Sequence, residues 1–323
     1  MLYRPLGKTG VNVSAIAFGA GPVPELMTGD DQARRTAVVR HAIAAGINWF
    51  DTAATYGNGS SEAGLGAALS RIPEREQVHI ATKVRLAPED LDDIPGAIER
   101  SMAGSLQRLQ CRRVTLVQLH NSMTAKRGDE PTSVTPADIL GAGGVLESFQ
   151  RLQADGVVEH IGLTALGQPA AMKEVISTGE FATIQVPYNL LNPSAGQDVA
   201  ADFPETDYGN IIAAAAEHGM GVFAIRVFAG GALAGQPPSR HTHTTKFFPL
   251  DLYVRDQERC REIAQRLPEG ANTRETAVRF VLSHAQVTSA IIGFGEPSHI
   301  DEAVASLAAG PLSEDVLSLL EGV

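Results

Sequence analysis

The sequence predicts an α/β protein of one architecture, a (β/α)8 barrel. Three observations point there. Eight short, uninterruptedly apolar runs alternate with helical segments along the chain. Such runs belong to strands buried on both faces, as in a parallel sheet. Eight strand–helix units fit within 323 residues, the length of a barrel with insertions. No Pro- or Ser-rich linker divides them, so residues 1–323 read as a single domain.

The elements follow in order. Residues 3–6, the turn Gly7-Lys8-Thr9-Gly10 and Val11 form an N-terminal β-hairpin. The first buried strand spans 13–18 and ends in Gly19-Ala20-Gly21. A helix over 30–45 stops at Gly46, since glycine ends helices at little steric cost. The second strand covers 47–50. Ser60-Ser61-Glu62 then caps a helix over 62–70. Strands at 78–83, 114–119, 158–163, 183–186, 222–226 and 289–292 continue the pattern. Helices at 92–109, 144–154, 169–177, 210–218, 255–267, 273–284 and 297–307 lie between and after them. Three connections are long for a compact domain: 121–143, 190–209 and 228–254. All follow strands, so all are expected on the C-terminal face, walling a deep pocket. Their mixed content includes Met123, Lys126, Arg127, Tyr208, His241, His243, Phe247 and Phe248.

Bulk composition narrows the function. The net charge is −11, and an acidic surface argues against nucleic acid and anionic membrane. No stretch is long and apolar enough for a membrane span, and the N-terminus carries no signal-peptide pattern. The two cysteines, Cys111 and Cys260, make no disulfide framework and have no zinc spacing. They read as structural thiols, and the protein is expected in the cytoplasm. His241-Thr242-His243 has no nearby carboxylate and reads as solvated rather than metal-binding.

The chemistry gathers where strands end. The stretch Gly46-Ile47-Asn48-Trp49-Phe50-Asp51-Thr52-Ala53-Ala54-Thr55-Tyr56-Gly57 places a carboxylate at a strand end and a phenol in the loop beyond. The next two strands end in Ile80-Ala81-Thr82-Lys83 and Leu116-Val117-Gln118-Leu119-His120-Asn121. Neighbouring strands thus offer Asp51, Tyr56, Lys83 and His120 at one edge, where barrels place their chemistry. A phenol is a weak acid, and an ammonium within hydrogen-bond reach favours its phenolate. Asp51 would hold Lys83 charged and oriented. A neutral His120 could donate to a substrate oxygen. The set can protonate a carbonyl oxygen or deprotonate an alcohol in a dry pocket. Hydride is the other half of that reaction, and no side chain supplies it; a nicotinamide does. After the last strand, Gly293-Phe294-Gly295-Glu296-Pro297 is a glycine turn opening a helix with proline in its first turn. That is an anion site in a barrel.

With these residues in view, the chain resembles the aldo-keto reductase superfamily. The matching pieces are Leu6-Gly7-Lys8-Thr9-Gly10 with Val13-Ser14, the stretch around Asp51 and Tyr56-Gly57, Ala81-Thr82-Lys83, Leu119-His120, and Gln185-Val186-Pro187-Tyr188-Asn189. They occur in family order over almost the whole chain. The resemblance implies the barrel fold and interconversion of an aldehyde or ketone with its alcohol by NAD(P)(H). It implies Tyr56 as general acid/base, Lys83 and Asp51 as its tuning pair, and His120 as orienter of the carbonyl. Asn121, beside His120, is a further pocket candidate.

The same resemblance places the cofactor. Family members usually carry Ser-Asn after strand five to hold the nicotinamide amide; here Thr164-Ala165 stands there, and Thr164 keeps a hydroxyl. Gln185 matches the family glutamine for the same amide. Ile225 stands where an aromatic often stacks on the nicotinamide. Arg226 is expected at a phosphate or ribose, and Arg240 at the pyrophosphate. Gly293, Gly295, His299 and Glu302 match the adenosine end. Glu296 is an acid where NADPH-preferring relatives have a base, so NAD(H) is expected to bind as well as or better than NADP(H).

Two other readings share these residues. Lys83 could form a Schiff base in a barrel lyase, or the chain could be a non-catalytic NAD(P)-binding protein. The expected partner is a small carbonyl or alcohol, a simple or sugar-derived aldehyde or a ketone rather than a steroid, because the chain is only 5% aromatic. Oligomeric state is not legible.

Overall fold

The computed structural model describes residues 1–244 and 250–320. A hairpin opens the chain: β1 (Tyr3–Pro5) pairs antiparallel with β2 (Asn12–Ser14). Then come β3 (Ile16–Gly19), α1 (Gln32–Ala44), β4 (Trp49–Asp51), α2 (Ser60–Leu69), β5 (His79–Val84) and α3 (Ile94–Leu109). Next are β6 (Val114–Leu119), α4 (Pro136–Leu140), α5 (Val145–Ala154), β7 (Val158–Thr164), α6 (Pro169–Ile176) and β8 (Thr183–Pro187). The chain continues through α7 (Ile211–Glu217), β9 (Gly221–Ile225), α8 (Arg240–Thr244), α9 (Leu250–Arg266) and α10 (Thr273–Ser283). It ends in β10 (Ser289–Gly293), α11 (Pro297–Ala308) and α12 (Glu314–Leu320).

Among the described residues, β3 to β10 form a closed barrel of parallel strands in chain order, with β10 returning to pair with β3. The predicted (β/α)8 barrel with its hairpin is therefore the fold. Helix starts follow local chemistry. Asp31 accepts from Arg34 N at 2.9 Å, Asp93 from Gly96 N at 3.1 Å, and Asn272 from Glu275 N at 2.9 Å. Each satisfies an amide that the first turn leaves without a helical partner.

Two layers of apolar residues result. Outward-facing strand residues pack under the helices, among them Phe18, Phe50, Val117 and Leu163. Inward-facing residues fill the barrel: Ala17, Trp49, Ala81, Leu116, Phe223 and Ile291. Trp49 lies against Phe223 with ring centroids 4.8 Å apart. Leu6 and Val13 of the hairpin join that inner cluster and seal the floor. The seal demands glycine at Gly221, where a Cβ would stand 2.4 Å from Leu6 Cδ1. Emptying this interior by Trp49→Ala costs about 3–5 kcal/mol.

Several elements differ from the sequence reading. The expected strand 13–18 breaks at Ala15 into β2 and β3. Ser14 Oγ donates to Ile16 O at 2.6 Å, and Asn48 Oδ1 accepts from Ser14 N at 2.8 Å, so local side-chain bonds turn the chain there. Helix α4 lies inside a connection read as loop. It is nucleated by Thr135 and Asp138, which bond each other's backbone amides at 2.9 and 3.2 Å. Helix α9 starts at Leu250 rather than 255, and α12 was not anticipated.

Candidate active site

Asp51 is the last residue of β4, Lys83 lies one residue before the end of β5, and His120 follows β6 directly. Pairing of β4 with β5 and of β5 with β6 brings these ends side by side. Tyr56 comes from the β4–α2 loop, with its amide bonded to Ala53 O at 3.1 Å. The four sequence-selected groups therefore meet at one mouth.

Their geometry is specific. Lys83 Nζ is buried and has three oxygen partners: Asp51 Oδ1 at 2.5 Å, Thr52 O at 2.8 Å and Tyr56 Oη at 3.3 Å. The ammonium also lies 4.9 Å from the Tyr56 ring centroid. Asp51 Oδ2 accepts from Gln118 Nε2 at 3.3 Å and from Gln185 Nε2. Burial pushes the Asp51 carboxyl up, and Lys83, Gln185 and Gln118 pull it down. Lys83, buried as it is, is held above the ordinary amine by Asp51 and Tyr56. Three donors on one carboxylate make this a carboxylate–ammonium pair. The His120 ring meets Tyr56 edge to face, centroids 5.7 Å apart at 83°. Burial, then Lys83 and Arg85, holds His120 well below the ordinary imidazole, so it is neutral at pH 7.

The mouth opens into a cavity of about 1350 Å³. Asp51, Tyr56 and His120 line it at the reacting end, together with Thr164 and Gln185. Thr164 Oγ1 is buried and finds no hydrogen-bond partner among the described residues. Ile225, Arg226 and Arg240 line the wall, and Gly293, Gly295, His299 and Glu302 the far end.

A family model for the aldo/keto reductase family matches residues 15–323. The chain belongs to that family. It is similar to L-galactose dehydrogenase of Arabidopsis thaliana, 25% identical over 99% of this chain and 93% of the relative. It is also similar to D-threo-aldose 1-dehydrogenase of a Pseudomonas species, 27% identical over 91% of this chain and 89% of the relative. Among solved structures, the holo form of an aldo-keto reductase from Bacillus halodurans superposes with a TM-score of 0.74 at 22% identity. That match covers 99% of this chain and 95% of the other, a likeness of fold. As an aldo-keto reductase, the chain is an oxidoreductase.

Several expected positions fall elsewhere in this aldo-keto reductase. Glu296 does not line the cavity; its carboxylate accepts from Ser298 Oγ at 2.7 Å and lies 3.5 Å from His299 Nε2. Asn121 serves the loop instead of the pocket. Its amide accepts from Leu86 N at 2.9 Å and donates to Leu86 O at 2.8 Å and Thr132 O at 2.5 Å. Connections 121–143 and 190–209 supply no lining residue among those described. Met123 is buried in bridges to Val134 and Gly167, and Arg127 is paired with Asp138. Of the residues named as walls, His241 lines the cavity. Phe247 and Phe248 lie outside the described residues. The third expected connection, 228–254, does line the cavity, and the β3–α1 loop, including Pro22, Pro24 and Thr28, supplies wall that was not expected.

Gln118 and Arg85 went unselected in the sequence. Each stands two residues from a selected group, Gln118 before His120 and Arg85 after Lys83. A strand repeats its face every two residues, so that spacing was the available signal. Arg34 and Arg274 also line the far end. Arg34 Nη2 donates to Gly295 O at 2.8 Å, and Arg274 pairs with Glu302. These contacts cross between helices and the strand-ten turn, and no sequence spacing marks them.

Proposed function

We propose that this chain, acting as one domain, is a nicotinamide-dependent oxidoreductase that interconverts an aldehyde or ketone with its alcohol. The observation that carries the reading is Lys83 Nζ, 2.5 Å from Asp51 Oδ1 and 3.3 Å from the Tyr56 oxygen. That arrangement stabilises a phenolate at the cavity wall and lets Tyr56 give or take one proton. A neutral His120 beside the phenol serves as donor to the substrate oxygen, fixing where the proton travels. The buried carboxylate orients the ammonium and takes no proton itself.

The residues present fit a nicotinamide dinucleotide. The unpartnered Thr164 hydroxyl is a ready partner for the ring carboxamide. Gln185 stands beside it, and Ile225 offers an apolar surface. Arg226 and Arg240 suit the phosphates, and Gly293, Gly295, His299 and Glu302 the adenosine end. When bound, the group supplies or accepts the hydride. Glu296, the reason for expecting NAD(H) to be favoured, points to Ser298 and His299. Arg34 and Arg274 bring cations to that end instead, so the lining supports NADP(H) alongside NAD(H).

Lys83 speaks against the Schiff-base alternative. Its ammonium has three oxygen partners and no exposure, whereas that chemistry needs an accessible neutral amine. The two sugar dehydrogenases among the relatives support a sugar-derived substrate. The test is an absorbance assay with NADH and NADPH over a panel of aldehydes, aldoses and ketones, run in both directions. Tight dinucleotide binding with no carbonyl- or alcohol-dependent change would replace this reading with the non-catalytic one.

A further inference from the structure

A neutral imidazole carries one N–H and one lone pair. Which nitrogen of His120 holds the proton therefore decides whether the ring meets a substrate oxygen as donor or as acceptor. The backbone of His120 is fastened on both sides: its amide donates to Val84 O at 2.8 Å, and its carbonyl accepts from Arg85 Nε at 3.1 Å. Neither bond reaches the ring. The edge-to-face contact with Tyr56 sets the ring plane, 83° from the phenol, but is indifferent to where the proton lies.

One contact discriminates. Thr55 Oγ1 lies 3.4 Å from His120 Nδ1. Thr55 directly precedes Tyr56 in the β4–α2 loop and lines the same cavity. Its hydroxyl has no other partner among the described residues. A threonine hydroxyl gives or takes a hydrogen bond, so this contact by itself admits two tautomers. The substrate separates them, because a carbonyl oxygen only accepts. With the proton on Nδ1, the ring would turn a lone pair on that oxygen and repel it. With the proton on Nε2, Thr55 donates to Nδ1 and draws electron density through the ring, which strengthens Nε2–H as a donor. Nε2 bonds no protein atom among the described residues.

We propose that Thr55 is a positioning residue that donates to His120 Nδ1 and so holds the ring's proton on Nε2, ready for the substrate carbonyl. The inference rests on the oxidoreductase reading above. It adds a residue from outside the set of Asp51, Tyr56, Lys83 and His120, acting through one of them.

Thr55→Val removes the hydroxyl and Thr55→Ser keeps it. Protein with isotope-labelled histidines is read by heteronuclear NMR, the His120 signals being identified by their loss in His120→Gln. In the wild type, Nε2 should carry the proton and Nδ1 none. In Thr55→Val the two nitrogen shifts should move toward each other as the tautomers mix, whereas Thr55→Ser should keep the wild-type separation. A packing role alone would leave the shifts unmoved. Single-turnover reduction of glyceraldehyde, with NADH and NADPH in turn at saturation, should slow about three- to tenfold in Thr55→Val, the worth of one neutral hydrogen bond. Thr55→Ser should stay close to wild type, and fluorescence titration should show dinucleotide binding unchanged in both. A proton on wild-type Nδ1 would overturn the proposal, as would shifts or a rate unmoved in Thr55→Val. The expected shifts with no aldehyde turnover in the wild type would uphold the Thr55 bond while refuting the carbonyl chemistry.

Discussion

The side-chain amide of Gln185 donates to the carboxylate of Asp51. The glutamine read from the sequence as a cofactor contact is thus also tied to the ammonium–phenol relay. Gln185→Leu should lower the rate of the chemical step by about ten- to hundredfold, because a hydrogen bond to a charged group is worth about 1.5–3 kcal/mol. Single-turnover kinetics with saturating dinucleotide check this. A variant that loses cofactor affinity alone, with its chemical rate intact, would show that the Asp51 contact is idle.

Tyr56→Phe removes the hydroxyl proposed as the proton donor and leaves the ring. Carbonyl reduction should fall by about 10²–10⁴. Dinucleotide binding, read by fluorescence titration, should stay near the wild-type value. Near-normal turnover would remove Tyr56 from its role.

Arg34 reaches the strand-ten turn from helix α1 and lines the far end of the cavity. Arg34→Glu should weaken NADPH binding more than NADH binding, since a carboxylate there repels a 2′-phosphate. Titration of the wild type and the variant with both dinucleotides decides it. Equal losses for the two would mean that Arg34 only fastens the turn.

Behind the relay sits a buried acid. Glu62 accepts from Thr82 Oγ1 at 2.5 Å and from Arg108 Nε at 2.7 Å, and its side chain is fully enclosed. Arg108→Ala strands that carboxylate. The expected cost is about 3 kcal/mol, the low end for a buried pair because Arg108 is partly exposed. Denaturant unfolding measures it, and Glu62→Gln combined with Arg108→Ala should recover part of the loss.

Several histidines are kept neutral in the fold. Burial, with Lys83 and Arg85, lowers His120 strongly, and burial lowers His79, His160, His241 and His284. Each has a folded pKa below its unfolded one, so the unfolded chain binds more protons as pH falls through about 6.5. Stability should therefore decline from about pH 7 toward pH 5. Asp51 and Asp256, both pushed up by burial, oppose the slope. Thermal melts of wild type and His120→Gln across that range should show a shallower decline in the variant.

The barrel and the meeting of Asp51, Tyr56, Lys83 and His120 were legible because both rest on short spacings. Apolar runs mark buried strands, and strand ends in neighbouring units must meet once the order is known. That argument carried Asp51, Lys83 and His120 to one place with Tyr56. It did not carry Glu296, because one rotation about its side chain decides whether the carboxylate faces the cavity or Ser298. It carried one wall, the connection 228–254, but not the others. Loop length says that a segment exists, but the capped helix α4 and the Asn121 bonds fold 121–143 onto itself, away from the mouth. The residues that do line the far end, Arg34 and Arg274, arrive from helices distant in sequence.

The sealed floor has a consequence for how the molecule is made. Arg4 bonds the carbonyls of Val287 and Leu282, and Lys8 N bonds that of Gly219. Synthesis delivers this hairpin more than two hundred residues ahead of those partners, taking Lys8 and Gly219 as the nearer pair. Until β9 and β10 emerge, the plug has nothing to plug, and Leu6 and Val13 stay in water. Such distant contacts carry a large loop-closure entropy and form late in folding. Capping the floor and closing β10 onto β3 are then coupled final events, and a nascent chain halted before them exposes an unpaired strand edge to its neighbours.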